Sequence, residues 1–180
     1  MKHFSFALIA CLFLSWIGAS TSATQRADDW VTFGSPDGRF SIQFPKTPTS
    51  DVRDVDAGSE RVTRHEYTAT SSAITYMASF ADYSRVPDAN EQQIVFDRLR
   101  DSVAGKLEAK VFSETKISIN GNPGREFLMS KTPEGSAEII YHWRAYIVGS
   151  RLYQVAASYY KRDSRSPELS KYFDSIRIQD

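Results

Sequence analysis

From Trp30 onward the chain alternates apolar and polar residues in short runs broken by turn residues. Trp30–Phe33 reads as a short strand, and Gly34-Ser35-Pro36-Asp37-Gly38 as a turn. Phe40, Ile42 and Phe44 alternate with polar neighbours, the period of a half-buried strand that Pro45 and Pro48 end. Residues 49–57 predict a weak edge strand and residues 60–70 a strand rich in Val, Thr and Tyr. Ala73–Tyr83 is apolar on both faces, with Ile74, Tyr76, Ala78 and Phe80 on one and Ala73, Met77, Ala81 and Tyr83 on the other. Such a strand is covered on both sides.

The period then changes. Asp88 with Glu91 three residues later resembles a capping box. Ile94, Val95, Leu99, Val103 and Leu107 form the stripe of an amphipathic helix, its last turn weakened by Gly105. Four strands follow: Lys110–Ile119, with Val111, Ile117 and Ile119 in phase, then Arg125–Lys131, Ala137–Val148 and Arg151–Tyr160. The turn signals between them are Asn120–Gly124, Pro133–Ser136 and Gly149-Ser150. Connections this short imply an antiparallel meander. On Ala137–Val148 one face is Ile139, Tyr141, Trp143, Ala145 and Ile147. The other mixes Ile140, Tyr146 and Val148 with Glu138, His142 and Arg144. Ser166-Pro167-Glu168 opens a last helix with Leu169, Tyr172, Phe173 and Ile176 on one stripe, followed by a brief strand at 176–178. The expected architecture is α+β: a curved antiparallel sheet of about seven strands flanked by two helices as an α/β/α sandwich. The alternative places both helices on one face.

Residues 1–23 do not fit this pattern. Lys2 and His3 precede the uncharged apolar run Phe4–Gly18, and Thr21 and Ala23 complete a small-x-small ending. This is the form of a secretory signal peptide cleaved after Ala23, with 24–29 a short segment and 30–180 one domain. The run is short of the ~20 residues a spanning helix needs, and no later stretch approaches that length. A rival reading takes Leu8-Ile9-Ala10-Cys11 as a lipoprotein box, but the chain after Cys11 stays apolar instead of turning into a polar tether.

Composition narrows the chemistry. The 180 residues carry 22 basic and 22 acidic side chains; losing residues 1–23 removes Lys2 and no acid. Nothing there supplies the clustered positive surface that nucleic acid requires. The one cysteine, Cys11, lies in the leader, so the mature chain has neither a disulfide nor a Cys-based metal site. His65 and His142 belong to no metal-ligand motif, although pairing of their strands would bring them together. Asp51, Asp54, Asp56 and Glu60 lack the EF-hand spacing and read as a charge-protected edge. No Gly-x-Ser-x-Gly elbow or Gly-rich phosphate loop is present, so no cofactor is expected. Tyr159, Tyr160, Lys161 and Arg162, with Arg165, form one basic-aromatic patch suited to an anionic surface or acidic partner.

The run Trp30…Phe33-x-Ser35-Pro36-Asp37-Gly38-Arg39-Phe40-Ser41-Ile42-x-Phe44-Pro45 resembles the start of secreted bacterial domains related to PsbP and DcrB. Gly121-x-Pro123-Gly124-Arg125-Glu126, Val148-Gly149-x-Arg151-Leu152-Tyr153-Gln154 and Phe173-x-Ser175-Ile176 extend the likeness over residues 30–178. The resemblance implies a PsbP-like fold and an extracytoplasmic accessory or binding role. It carries over no catalytic residue. The preferred expectation is a secreted or periplasmic non-enzymatic domain that binds a protein or envelope component. The alternative is a small-molecule or hydrolytic site at His142 and Arg144.

Overall fold

Phe40, Ile42 and Phe44 alternate as expected, and all three side chains are buried in the core. They lie on β2 (Phe40–Phe44), which pairs antiparallel with β1 (Val31–Ser35). The computed structural model describes residues 30–58 and 60–179, so the signal-peptide and Cys11 readings lie outside the described residues. The chain continues through β3 (Thr49–Asp56), β4 (Arg61–Ser71), β5 (Ile74–Asp82) and the helix α1 (Ala89–Leu107). Four long strands follow: β6 (Lys110–Ile119), β7 (Asn122–Lys131), β8 (Ile139–Val148) and β9 (Arg151–Tyr160). A 3-10 turn at Lys161–Asp163, helix α2 (Pro167–Asp174) and the two-residue β10 (Arg177–Ile178) close the chain.

The main sheet has seven strands in the order β3-β4-β5-β9-β8-β7-β6, every pair antiparallel. The centre strand β9 is buried on both faces without interruption from Arg151 to Ala157, and its neighbour β5 from Ala78 to Ala81. The β1–β2 hairpin does not extend this sheet. It joins β10 in a separate three-stranded sheet that lies against one face, where Phe40 packs on Phe80 and Tyr153 at ring distances of 6.3 and 6.1 Å. That face also receives α2 through Leu169, Tyr172 and Phe173. The opposite face receives α1, where Phe96 packs with Ala145, Ile147 and Leu152. The two helices thus cover opposite faces of an α+β sandwich. No helix among the described residues is long and apolar enough to cross a membrane.

Four local expectations change. Gly34 and Ser35 belong to β1, paired with Ser41 and Phe40, and not to the turn. Asn122, Pro123 and Gly124 are strand, not turn. Asn120 and Gly121, at φ 49° and 78°, make the reversal alone, as a two-residue hairpin loop with both residues left-handed. Val111 leaves the phase of Ile117 because a bulge between Val111 and Ser113 skips Phe112. Phe112 is left 57% exposed. On α1 the capping box of Asp88 and Glu91 is present, but the buried residue is Phe96, one position off the expected stripe, while Ile94 is 46% exposed.

Candidate functional site

β8 carries a polar interruption in an apolar strand, and register decides what it meets. Ile140, His142 and Arg144 project to the α2 side. Leu128 and Glu126 of β7 stand opposite His142 and Arg144, and Tyr159 and Ala157 of β9 stand opposite Ile140 and His142. Above this floor lies α2. Ser166 caps it by accepting from the Glu168 amide, Pro167 occupies its first turn, and Leu169 and Phe173 point inward one turn apart. Its C-terminal end is tied down by Arg144, which donates through Nη1 to the Phe173 carbonyl at 3.4 Å and to Asp174 Oδ1 at 3.3 Å. A guanidinium at a helix C-terminus is favourably placed against the helix dipole. Near the N-terminal end, Tyr76 donates its hydroxyl to Glu168 Oε2 at 3.2 Å.

Between α2 and the sheet lies a cleft of about 520 Å³. Its middle is apolar, made by Leu128, Ile140, Leu169 and Phe173 with the ring of Tyr159. One end holds Lys161 and Arg165, the other His142, Arg144 and Asp174. That volume is in the range of small-molecule sites.

The Arg144 end is an internally paired network, with one guanidinium held between the carboxylates of Glu126 and Asp174. Glu126 Oε1 accepts from Arg144 Nε at 2.7 Å and from His142 Nε2 at 2.8 Å. Burial alone would raise the Glu126 carboxyl, but these hydrogen bonds outweigh it and hold it below its ordinary value. Burial lowers the His142 pKa despite the carboxylate beside it, so the ring is neutral at pH 7 and donates Nε2–H to Glu126. The imidazole also lies against the Phe173 ring at 4.0 Å. The Glu126 bond thus fixes the orientation of the His142 ring.

A base with a lowered pKa in the fold binds its proton first in the unfolded chain. Stability should therefore fall as pH drops below the ordinary histidine value of 6.5, until the native ring is itself protonated. His142→Gln should flatten that part of the stability-against-pH curve, read by urea unfolding at stepped pH. An unchanged slope would show that His142 is not the group responsible.

The expected basic-aromatic patch is divided by strand alternation. Tyr159 and Lys161 line the cleft with His142 and Arg144. Tyr160 points through the opposite face of β9, and the Arg162 guanidinium lies 4.9 Å over its ring, outside the cleft. The two histidines stand apart, because β4 pairs with β3 and β5 while β8 pairs with β7 and β9. His65 instead stacks flat on Phe80 at 4.6 Å. The four acids do not converge: Asp51 pairs with Arg53, Asp54 accepts from Thr63, Asp56 accepts from the Gly58 amide, and Glu60 accepts from Ser84. Sequence reasoning missed Glu126, Asp174 and Phe112. Only strand register, helix placement and the bulge bring them to the site.

No protein-family model matches the chain, and no curated protein matches it. Solved structures do. Cyanobacterial PsbP (CyanoP) from Synechocystis sp. PCC 6803 superposes with a TM-score of 0.57 at 11% identity, over 89% of this chain and 98% of that one. A protein of unknown function from Pseudomonas aeruginosa, described as a putative regulator, gives a TM-score of 0.41 at 9% identity, over 78% of this chain and 90% of that one. The cyanobacterial match, the seven-stranded antiparallel sheet and the helices on its two faces give this chain a PsbP-like fold.

Proposed function

We propose that this is an exported, non-enzymatic accessory protein that binds its partner or ligand in the cleft beneath α2. Residues 1–23 act as the leader, removed after Ala23, and the protein works in the periplasm or outside the cell as a single domain from residue 30. The observation that carries the reading is the cleft itself: an apolar middle between two polar ends, built from β7, β8, β9 and α2. Sites that bind small molecules have this composition, an apolar lining with few directed polar groups. The PsbP-like fold fits an accessory role, and the leader-like N-terminus fits export.

Two measurements test it. Mass spectrometry of the protein recovered after expression of the full chain should find Thr24 at the N-terminus, whereas a lipid-bearing Cys11 would overturn the cleavage site. Nuclear magnetic resonance titration with a mixed metabolite and peptide library should move resonances of Ile140, His142, Leu169 and Phe173 together. Shifts confined to another surface would remove the cleft from the function. A turnover activity that His142→Gln abolishes would instead overturn the non-enzymatic reading and make this an enzyme.

A further inference from the structure

We infer that the cleft takes a single-chain aliphatic carboxylate, its head at Arg165 and its chain along Leu128, Ile140 and Leu169. The inference rests on the cleft being a binding site, as proposed above, and adds the chemistry of what enters it.

The first argument is which charges are already spent. Arg144 is met by Glu126 and Asp174. Lys161 is met by Glu138, Nζ to Oε2 at 2.7 Å. Arg165 lines the same cleft, is exposed, and has no carboxylate partner among the described residues. One unanswered guanidinium calls for one negative charge, and its planar fork matches a carboxylate in bidentate geometry. Ser164 and Ser170 add hydroxyls at the lining for a second contact.

The second argument is direction. Tyr159 pairs with Ile140, and the Lys161 amide donates to the Glu138 carbonyl at 2.9 Å, so Lys161 lies at the Glu138 end of β8. The turn around Arg165 lies there with it, held by the Ser164–Lys161 and Ser166–Asp163 backbone hydrogen bonds, while α2 runs on to Arg144 at Asp174. Arg144 lies beyond Ile140 the other way, about 13 Å along at ~3.3 Å per strand residue. Between these ends the floor offers Leu128, Ile140 and the uncharged ring of His142, and the roof offers Leu169 and Phe173. A head at Arg165 therefore sends its tail into a trough whose far end holds one cation, Arg144, already met by two carboxylates, Glu126 and Asp174, so no free positive charge waits there for a second anionic group. Phe112, which the bulge leaves 57% exposed, stands at the rim of the same trough. An exposed phenylalanine beside an apolar floor is the surface an aliphatic chain would cover.

The test is calorimetric titration of the protein from the full chain, below the critical micelle concentration, with dodecanoate, hexanoate, dodecanol and dodecyltrimethylammonium. Resonance mapping of the cleft runs in parallel. Dodecanoate should bind, with affinity rising about threefold to fourfold per methylene until the trough is filled. Dodecanol and the ammonium amphiphile should bind at least fivefold more weakly. Arg165→Gln, at an exposed position that the core does not use, should weaken dodecanoate about fivefold and leave dodecanol unchanged. Phe112→Ser should weaken dodecanoate and dodecanol alike.

Equal affinity for dodecanoate and dodecanol would overturn the assignment of the head, as would an Arg165→Gln variant that binds dodecanoate normally. Dodecyl phosphate binding more tightly than dodecanoate would overturn the singly charged carboxylate. If dodecanoate leaves the cleft resonances unmoved while another compound shifts them, the cleft remains a site and the carboxylate falls. If no compound shifts them, both readings fall.

Discussion

Replacing Phe173 with alanine is expected to lower the unfolding free energy by about 3–5 kcal/mol, the range for deleting a buried aromatic ring. Phe173 is 2% exposed and stands where core and cleft meet. Its ring packs on Tyr172 at 5.3 Å and on His142 at 4.0 Å, and the Arg144 guanidinium lies 4.9 Å from its centre. Alanine removes the transfer energy of the ring and leaves a hole that α2 cannot close. The helix is held from both ends, by Tyr76 through Glu168 and by Arg144 through Asp174. Because the hole opens into the cleft, water enters it, and the loss should fall toward the lower part of the range. Phe173→Leu keeps most of the volume and should cost less than about 1.5 kcal/mol. Guanidinium unfolding at constant slope reads both values. A second readout separates this site from an ordinary core position. With the ring gone, water reaches His142, and its pKa should return toward 6.5, followed by its ring proton resonances. A Phe173→Ala variant that loses less than 1 kcal/mol, with His142 unmoved, would show that α2 does not pack on the sheet as described.

The residues that make α2 legible in the sequence are the same ones that make Phe173 matter. Ser166, Pro167 and Glu168 announce the helix start by hydrogen-bonding chemistry, and Leu169, Tyr172, Phe173 and Ile176 announce its buried stripe by spacing. Both are local signals. β9 was legible to the residue because Gly149 and Ser150 bound it, although burial on both faces erases its alternation. What stayed hidden is non-local. Phe40, Ile42 and Phe44 show a strand but not that it lies face-down on Phe80 and Tyr153 instead of pairing at a sheet edge. His142 and Arg144 stand out as polar residues in an apolar strand. Their partners Glu126 and Asp174 depend on the β7–β8 register and on where α2 ends, and one sequence states neither. Phe96 was missed on α1 because the apolar spacing fits Ile94 and Val95 as well. The docking of α1 over Ala145 and Leu152 selects Phe96. Tyr159 and Tyr160 read as neighbours along the chain and are opposites across the sheet, because strand side chains alternate.

Gly124 tests the opposite failure, too much volume in place of too little. It lies on β7 between Ile117 and Tyr146, and its φ is not in the left-handed region, so any penalty for a side chain comes from space and not from backbone strain. A Cβ built there would stand 2.5 Å from Tyr146 Cδ1 and 2.8 Å from the Ala145 carbonyl oxygen. Tyr146 is itself buried, so its ring has nowhere to swing, and the carbonyl belongs to a strand held on both sides. Gly124→Ala should therefore destabilise the domain by about 1–3 kcal/mol, the cost of overpacking, and Gly124→Val by more. A double-mutant cycle with Tyr146→Ala divides the two obstacles. The ring's share disappears in the Tyr146→Ala background, giving a favourable coupling of about 0.5–3 kcal/mol, while the carbonyl's share remains. Two glycines frame the result. Gly34 has open space around it and an ordinary φ, so Gly34→Ala should be neutral or stabilising by about 0.4–1 kcal/mol. Gly121 also has open space but sits at φ 78°, so Gly121→Ala should cost about 1–2 kcal/mol through conformation alone, with no coupling to Tyr146. If Gly124→Ala behaves like Gly34→Ala, then β7 does not run this close to Tyr146. The register that places Glu126 against Arg144 and Leu128 against His142 would then be wrong with it, because all three pairs belong to one ladder.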